Sequence, residues 1–287
     1  MAKIIVTHFY PDLDAVTAVW LIKRFLPAWT KAEVKFVSAG ETFRGAPPDS
    51  DPEILHVDTG CGKLDHHQKG EYSSAAGLVL KKIFKEKKFS EIDKETLKRL
   101  VAIVTEIDNG RMITWENASS DRYEFCLHNL LSGFEKEGGD EAIISLGLSC
   151  LNGVFKVLKD KVLAEKILKE EGKVFRTRWG KAVAVESFDE QVLMVGQKKG
   201  FIFVARKNPK SGHLRIYSRW DKKVDLTKAY QEFKKKDPKA TWYLHPTKHL
   251  LLNGSRGDPN RVSTKLSLSE IIKILEKALF CLLSKNF

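Results

Sequence analysis

The chain has 287 residues, 43% of them hydrophobic, and carries 49 Lys+Arg against 37 Asp+Glu for a formal net charge of +12. That length and apolar share fit one large domain or two ordinary ones with a sizeable core. No run of about 18 uncharged apolar residues is present, so no membrane-spanning helix is expected. The four cysteines, at 61, 126, 150 and 281, are scattered without a Cys-x-x-Cys pair. A disulfide framework or zinc ribbon is thereby disfavoured, and free thiols in a reducing, cytoplasmic setting are expected.

Ile4-Ile5-Val6 is continuously apolar and predicts a buried strand, entered at once and with no signal peptide expected ahead of it. It leads into His8-Phe9-Tyr10-Pro11-Asp12-Leu13-Asp14. Residues 13–26 then place apolar side chains at helical spacing, stopped by Pro27. Val34–Val37 reads as a strand, 42–52 as a loop rich in Pro, Asp and Gly, and Ile54–Val57 as a strand ending at Asp58. The loop 60–70 contains Leu64-Asp65-His66-His67-Gln68. Ser74 caps a helix to about Lys85, and a second helix over about Lys94–Glu106 delivers Asp108. This alternation predicts an α/β fold, a parallel sheet flanked by helices on both faces.

From 120 to 172 the pattern is helical, and its second half, charged on one face, reads as a long connecting helix. After Gly180 the period changes. Residues 182–185, 192–195, 201–205 and 214–217 read as short strands with turns at Gly200 and Gly212, 242–244 and 250–252 add two more, and 268–283 forms a closing amphipathic helix. The change of period sets a boundary at 178/179, separating domain 1–178 from a smaller α+β domain, 179–287.

Three short apolar runs lead into acidic clusters, at Asp12/Asp14, Asp58 and Asp108, and a fourth cluster is Asp65-His66-His67. In open α/β sheets ligands bind beyond the carboxyl ends of strands. Singly, each residue has an ordinary explanation: Asp12 as a helix N-cap, Asp108-Asn109-Gly110 as a helix-ending turn, His8 as a core histidine, His66-His67 as a solvated turn. Jointly, His8, Asp12, Asp14, Asp58, His66 and Asp108 set four carboxylates and two imidazoles against the roughly four positive charges of a two-metal site. Hard oxygen donors with imidazole suit Mn²⁺, with Mg²⁺ an alternative. His56, inside a strand, and His128 read as structural.

The order His-x-x-x-Asp-x-Asp, lone Asp, Asp-His-His, lone Asp resembles the DHH phosphoesterase superfamily. Gln68, Ser73-Ser74-Ala75-Ala76-Gly77 and Asp108-Asn109-Gly110 are similar to its branch of MYG-type (melanocyte-proliferating-gene) 3′–5′ RNA exonucleases. The likeness covers roughly residues 4–115 and is faint beyond. Pro11-Asp12-Leu13-Asp14 is nearer the wider superfamily than that branch, and no Gly-Gly-Gly-His motif is present. The resemblance implies one metal on His8, Asp12 and Asp58 and a second on Asp14, Asp58, His66 and Asp108, with Asp58 bridging. It also implies His67 facing the substrate phosphate, with Asp65 orienting a histidine.

Residues 181–287 hold 22 Lys+Arg against 10 Asp+Glu, whereas 1–180 hold 27 of each. This asymmetry suggests a polyanion-holding second half, with a plain Lys-rich surface as the alternative. Basic and aromatic residues interleave at Arg206, Lys207, Lys210, Arg215, Tyr217, Arg219 and Trp220. His245, Gly254, Ser255, Arg256 and Lys265 are the candidate substrate residues, with Gly254-Ser255-Arg256 able to cradle a terminal phosphate. Three functions stay open: a two-metal phosphodiesterase acting on RNA or short oligonucleotides, a small-molecule phosphohydrolase, and a non-catalytic nucleic-acid-binding protein.

Overall fold

A computed structural model describes residues 3–68, 70–220, 223–254 and 258–279. The chain divides into two compact units, Met1–Lys159 and Asp160–Phe287, where the sequence pattern set 178/179.

The first unit is built on a three-stranded parallel sheet, β1 (Ile4–His8), β2 (Glu33–Val37) and β3 (Ile54–His56), in the order β2-β1-β3. Parallel neighbours cannot be joined by a hairpin, so a helix follows β1. That helix, α1 (Leu13–Phe25), is capped by Asp12, whose carboxylate accepts the Ala15 N–H, and is buried from Leu13 through Ile22. The helices α2 (Ala75–Glu86) and α3 (Glu91–Asp108) pack on α1 and on each other, each started by a serine cap, Ser74 or Ser90. Helix α4 (Leu127–Glu170) breaks at Gly139, whose φ of 69° suits glycine. Trp20, Phe25, Ile83, Leu97, Leu131, Ile143, Leu151 and Phe155 belong to one core.

The stretch Glu137–Glu170 is long and apolar enough by composition to cross a membrane. Residues 142–155 of it carry no charge. Ile143, Ile144, Leu151 and Phe155 of this stretch are buried against the first unit's core.

The second unit holds a six-stranded mixed sheet, β4 (Lys173–Thr177), β5 (Gly180–Glu186), β6 (Phe203–Lys207), β7 (Leu214–Ser218), β8 (Trp242–Leu244) and β9 (Leu250–Asn253), in the order β4-β5-β6-β7-β9-β8. Residues 192–195, expected as a strand, lie in a helix, α5 (Gln191–Lys198). The cause is topological: β5 and β6 pair in parallel, so their connection is a crossover. Helices α6 (Thr227–Lys236) and α7 (Leu268–Leu279) complete the unit; residues 280–283 of the expected closing helix lie outside the described residues. Alternate residues of β5 enter separate cores, Ala182 and Ala184 with Phe203 and Phe233, Val183 and Val185 with Val192 and Val204. Both sheet faces are therefore covered.

Candidate metal centre

The register of the parallel sheet builds the first part of the site. Val6 lies opposite His56, so two residues further on His8 and Asp58 come level at the carboxyl ends of adjacent strands. His8 Nε2 lies 3.4 Å from Asp58 Oδ2. The other ring nitrogen, Nδ1, is 2.8 Å from the Phe9 carbonyl, which can only accept, so Nδ1 carries the proton. In the neutral imidazole this leaves the Nε2 lone pair for the cluster, the tautomer a metal ligand needs.

Asp58 is held in the left-handed region at φ 57° by a tight loop, its N–H donating to the Leu64 carbonyl. Gly60 in that loop has φ 76°, and a Cβ there would stand 2.9 Å from the Thr42 methyl, so glycine is required twice over. His66, on the same loop, sets Nε2 3.4 Å from Asp58 Oδ1, 3.5 Å from Asp108 Oδ2 and 3.7 Å from Asp14 Oδ2. Asp14 is fully buried in the first turn of α1, and its carboxylate accepts the Ala75 and Ala76 N–H groups at 2.6 and 2.9 Å. The start of α2 is thus an anion seat occupied by Asp14. Asp108 reaches the cluster from the last turn of α3.

Three donor sets result, each with its ligand atoms within 4.8 Å of one another: His8–Asp12–Asp58, Asp14–His66–Asp108 and Asp58–His66–His67. All six residues expected to hold metal from the sequence are brought together here. Asp12 is both helix cap and cluster member, one oxygen being enough for the cap. Asp65 is buried, accepts the Cys61 N–H, and lies 2.8 Å from His67 Nδ1. It therefore orients His67 and leaves that ring's Nε2 free at an exposed edge.

The ionisable groups of the cluster shift one another strongly. Burial opposes protonation of His8, but its pairing with Asp58 prevails and lifts it to about 9. Asp58 likewise lifts His66 to about 9. Burial alone would raise Asp58, but the two imidazoles hold it down to about 2. Asp108 is pushed up to about 6, by burial first. Asp14 rises well above the carboxylate range through burial and then the Asp58 and Asp108 charges, and burial and Asp58 raise Asp12 as well. Asp58 Oδ1 and His66 Nε2 are both buried and face each other at 3.4 Å, but neither makes a hydrogen bond of good geometry, to the other or to a third group. Buried polar atoms are almost always satisfied, so two orphans aimed at one point fit a divalent cation between them.

A cavity of about 260 Å³ opens against Asp12, Asp14 and Asp108, with Met112, His128, Ser132 and Glu135 on its other side. His128, which the sequence left as structural, thus lines the same space, and burial lowers its pKa. A lone histidine early in a long helix offers no spacing signal. His56 is structural, its Nε2 accepting the Phe43 N–H at 3.0 Å.

In the second unit the expected substrate residues do not form one group. His245 begins the turn of the β8–β9 hairpin, whereas Gly254 follows Asn253, the residue paired with Trp242 at the opposite end. The Lys265 N–H is held by Asp237, close to the Asn253–Thr264 bond. Ser255 and Arg256 lie outside the described residues. At Gly254 an added Cβ would meet Arg261, whose Nε donates to His213 Nε2, a pair with no sequence signature. Of the basic strip, Arg206 is buried and bonded to the Ser187 and Phe188 carbonyls, Arg215 pairs with Glu190, and Lys207 donates to the Leu266 carbonyl.

No family model and no curated protein matches the chain. Among solved structures it is similar to Thermus thermophilus RecJ in complex with Mg²⁺, at 13% identity and TM-score 0.30, covering 96% of this chain and 49% of that one. It is also similar to the exonuclease RecJ bound to manganese, at 12% identity, TM-score 0.29 and coverage of 96% and 90%. A third is an exopolyphosphatase-related protein from Bacteroides fragilis, at 16% identity, TM-score 0.25 and coverage of 96% and 91%. The chain spans about half the length of the Thermus RecJ chain, and likeness at this level leaves the site resting on its own geometry.

Proposed function

We propose that this chain is a metal-dependent phosphodiesterase that hydrolyses RNA or short oligonucleotides from an end, with two divalent cations, Mn²⁺ before Mg²⁺. The observation that carries this reading is the pair of buried atoms Asp58 Oδ1 and His66 Nε2, 3.4 Å apart and without a well-formed hydrogen bond, at the junction of three donor sets. His8, Asp12 and Asp58 would hold one cation, and Asp14, Asp58, His66 and Asp108 the other, as the DHH resemblance implies. Bound cations would supply Lewis acidity and neutralise charge on the phosphoryl oxygens. The chain's own residues do the rest. Asp65 accepts the His67 Nδ1 proton, and His67, when protonated, would give its Nε2 proton to the departing oxygen. Asp14 and Asp58 are buried, so their charge acts with less screening than it would in water.

The deciding experiment is Mn²⁺-dependent hydrolysis of a 5′-labelled RNA oligonucleotide beside a dinucleotide and pyrophosphate. A ladder of shortened labelled products is expected, and its loss in a combined Asp58→Ala, His66→Ala variant. Cleavage of the small substrates alone would move the assignment to a small-molecule phosphohydrolase. One feature favours that second reading: Arg206, Lys207 and Arg215 are engaged inside the second unit rather than offered to a polyanion.

A further inference from the structure

The metal cluster is acidic, and a nucleic acid approaching it meets like charge until cations are in place. An exposed cation follows it closely in the chain. Arg111 begins the 3-10 turn Arg111–Thr114, three residues after Asp108, and the next residue, Met112, lines the cavity against Asp12, Asp14 and Asp108. Its guanidinium does not turn to the carboxylates. It lies over the ring of Tyr72, 4.0 Å from the centroid, and Arg111 forms no ion pair among the described residues.

Two constraints place this stack beside the site. Asn109 Nδ2 donates to the Ser73 carbonyl at 2.9 Å, clasping the residue after Asp108 to the residue after Tyr72. Ser74 then caps α2, whose first amides hold Asp14. Gly110, at φ 68°, makes the sharp turn that returns Arg111 toward Tyr72. Tyr72 is 52% exposed, so one end of the stack is open to solvent. An arginine placed over a tyrosine ring can give N–H groups to a phosphate while the aromatic ring offers a π-surface for a base.

We propose that Tyr72 and Arg111 form a nucleotide platform, stacking a base and pairing with the phosphate next to the one being cleaved. This deepens the phosphodiesterase reading and rests on it for the word cleaved, but the platform itself predicts binding and is tested without turnover. The binding probe is a fluorescein-labelled RNA octamer, read by anisotropy with Ca²⁺ in place of Mn²⁺ so that the cluster's charge is neutralised, the octamer being recovered intact on a gel after each reading. Tyr72→Ala and Arg111→Ala are each expected to weaken binding about tenfold, the order of one stacked base. Tyr72→Phe, which keeps the ring, should bind as wild type, and Arg111→Lys should not restore binding because ammonium lacks the planar fork. An octamer abasic at the nucleotide on the platform should bind wild type about as weakly as the normal octamer binds Tyr72→Ala, with no further loss when both changes are combined. The abasic position is moved along the octamer to find that nucleotide.

Unchanged melting temperatures in the variants would show that the fold is kept. Equal binding by wild type and both alanine variants would overturn the proposal, as would full additivity at every abasic position or no RNA binding by wild type. Expected binding losses without Mn²⁺-dependent cleavage would sink the phosphodiesterase reading and leave the platform standing. Where cleavage occurs, the alanine variants should raise KM for RNA about tenfold with kcat little changed.

Discussion

Asp108 shows what a single residue contributes to this centre. Its carboxyl is pushed up to about 6 because burial and the neighbouring carboxylates oppose its charge. Asp108→Asn removes that opposition, so the metal-free variant should be more stable by roughly 1–2 kcal/mol near neutral pH. The same change should abolish the thermal shift produced by Mn²⁺; an unstabilised variant that keeps the shift would contradict the assignment. Asp65 makes a complementary case, since it touches His67 and backbone amides but belongs to none of the three donor sets. Asp65→Asn should lower kcat for RNA about 100-fold, the upper end for lost orienting partners, while metal content is unchanged. His8 and His66 rise from 6.5 to about 9 on folding. The folded protein then binds more protons than the unfolded chain between those values. The stability they contribute is present below 6.5 and is lost as pH rises through 9. Melting temperature of the metal-free protein should therefore fall across that window, and saturating Mn²⁺ should flatten the decline by standing in for the protons. These residues were legible in the sequence because chemistry placed them at strand and helix ends. Arg111 and His128 were not, since each is a single residue whose role depends on what folds against it.

At the scale of elements, the site depends on how tightly α1 is held. Gly147 of α4 packs directly on Val16 of α1, and any Cβ there would overlap the valine methyl. Because α1 carries Asp12 and Asp14, Gly147→Ala should destabilise by about 1–3 kcal/mol and also weaken Mn²⁺ binding. Adding Val16→Ala should recover part of both losses; calorimetry on the single and double variants checks the coupling. The elements misread from sequence share a physical cause. Val192-Leu193-Met194-Val195 is β-branched and apolar enough for a strand, yet the parallel pairing of β5 with β6 demands a crossover there. Short β4 and polar α6 were missed because their burial comes from tertiary partners, Phe175 against Phe203 and Phe233 against Trp242. Local propensity carries no information about either contact.

For the whole molecule, the charge asymmetry predicts a solution behaviour. Lys198, Lys199, Lys210, Arg219, Lys234, Lys235, Lys236 and Lys239 of the basic half are exposed. RNA affinity should fall at least about tenfold between 50 and 200 mM salt if several of these neutralise phosphates. A flat salt dependence, measured by anisotropy, would make the basic half a surface property only. Strand–helix alternation was enough to predict the α/β architecture. Helix α4 runs on through residue 159, where the first compact unit ends, with no change of period.

Asp14 occupies the seat that α2 offers to an anion, so the amides of Ala75 and Ala76 share its electrons with any cation that arrives. Those two protons are therefore built-in reporters. In an ¹⁵N-labelled sample their resonances should move as the centre fills, while Gly77, bonded to Ser74 Oγ, stays in place. Occupancy of the buried centre could then be followed residue by residue, without a substrate and without turnover.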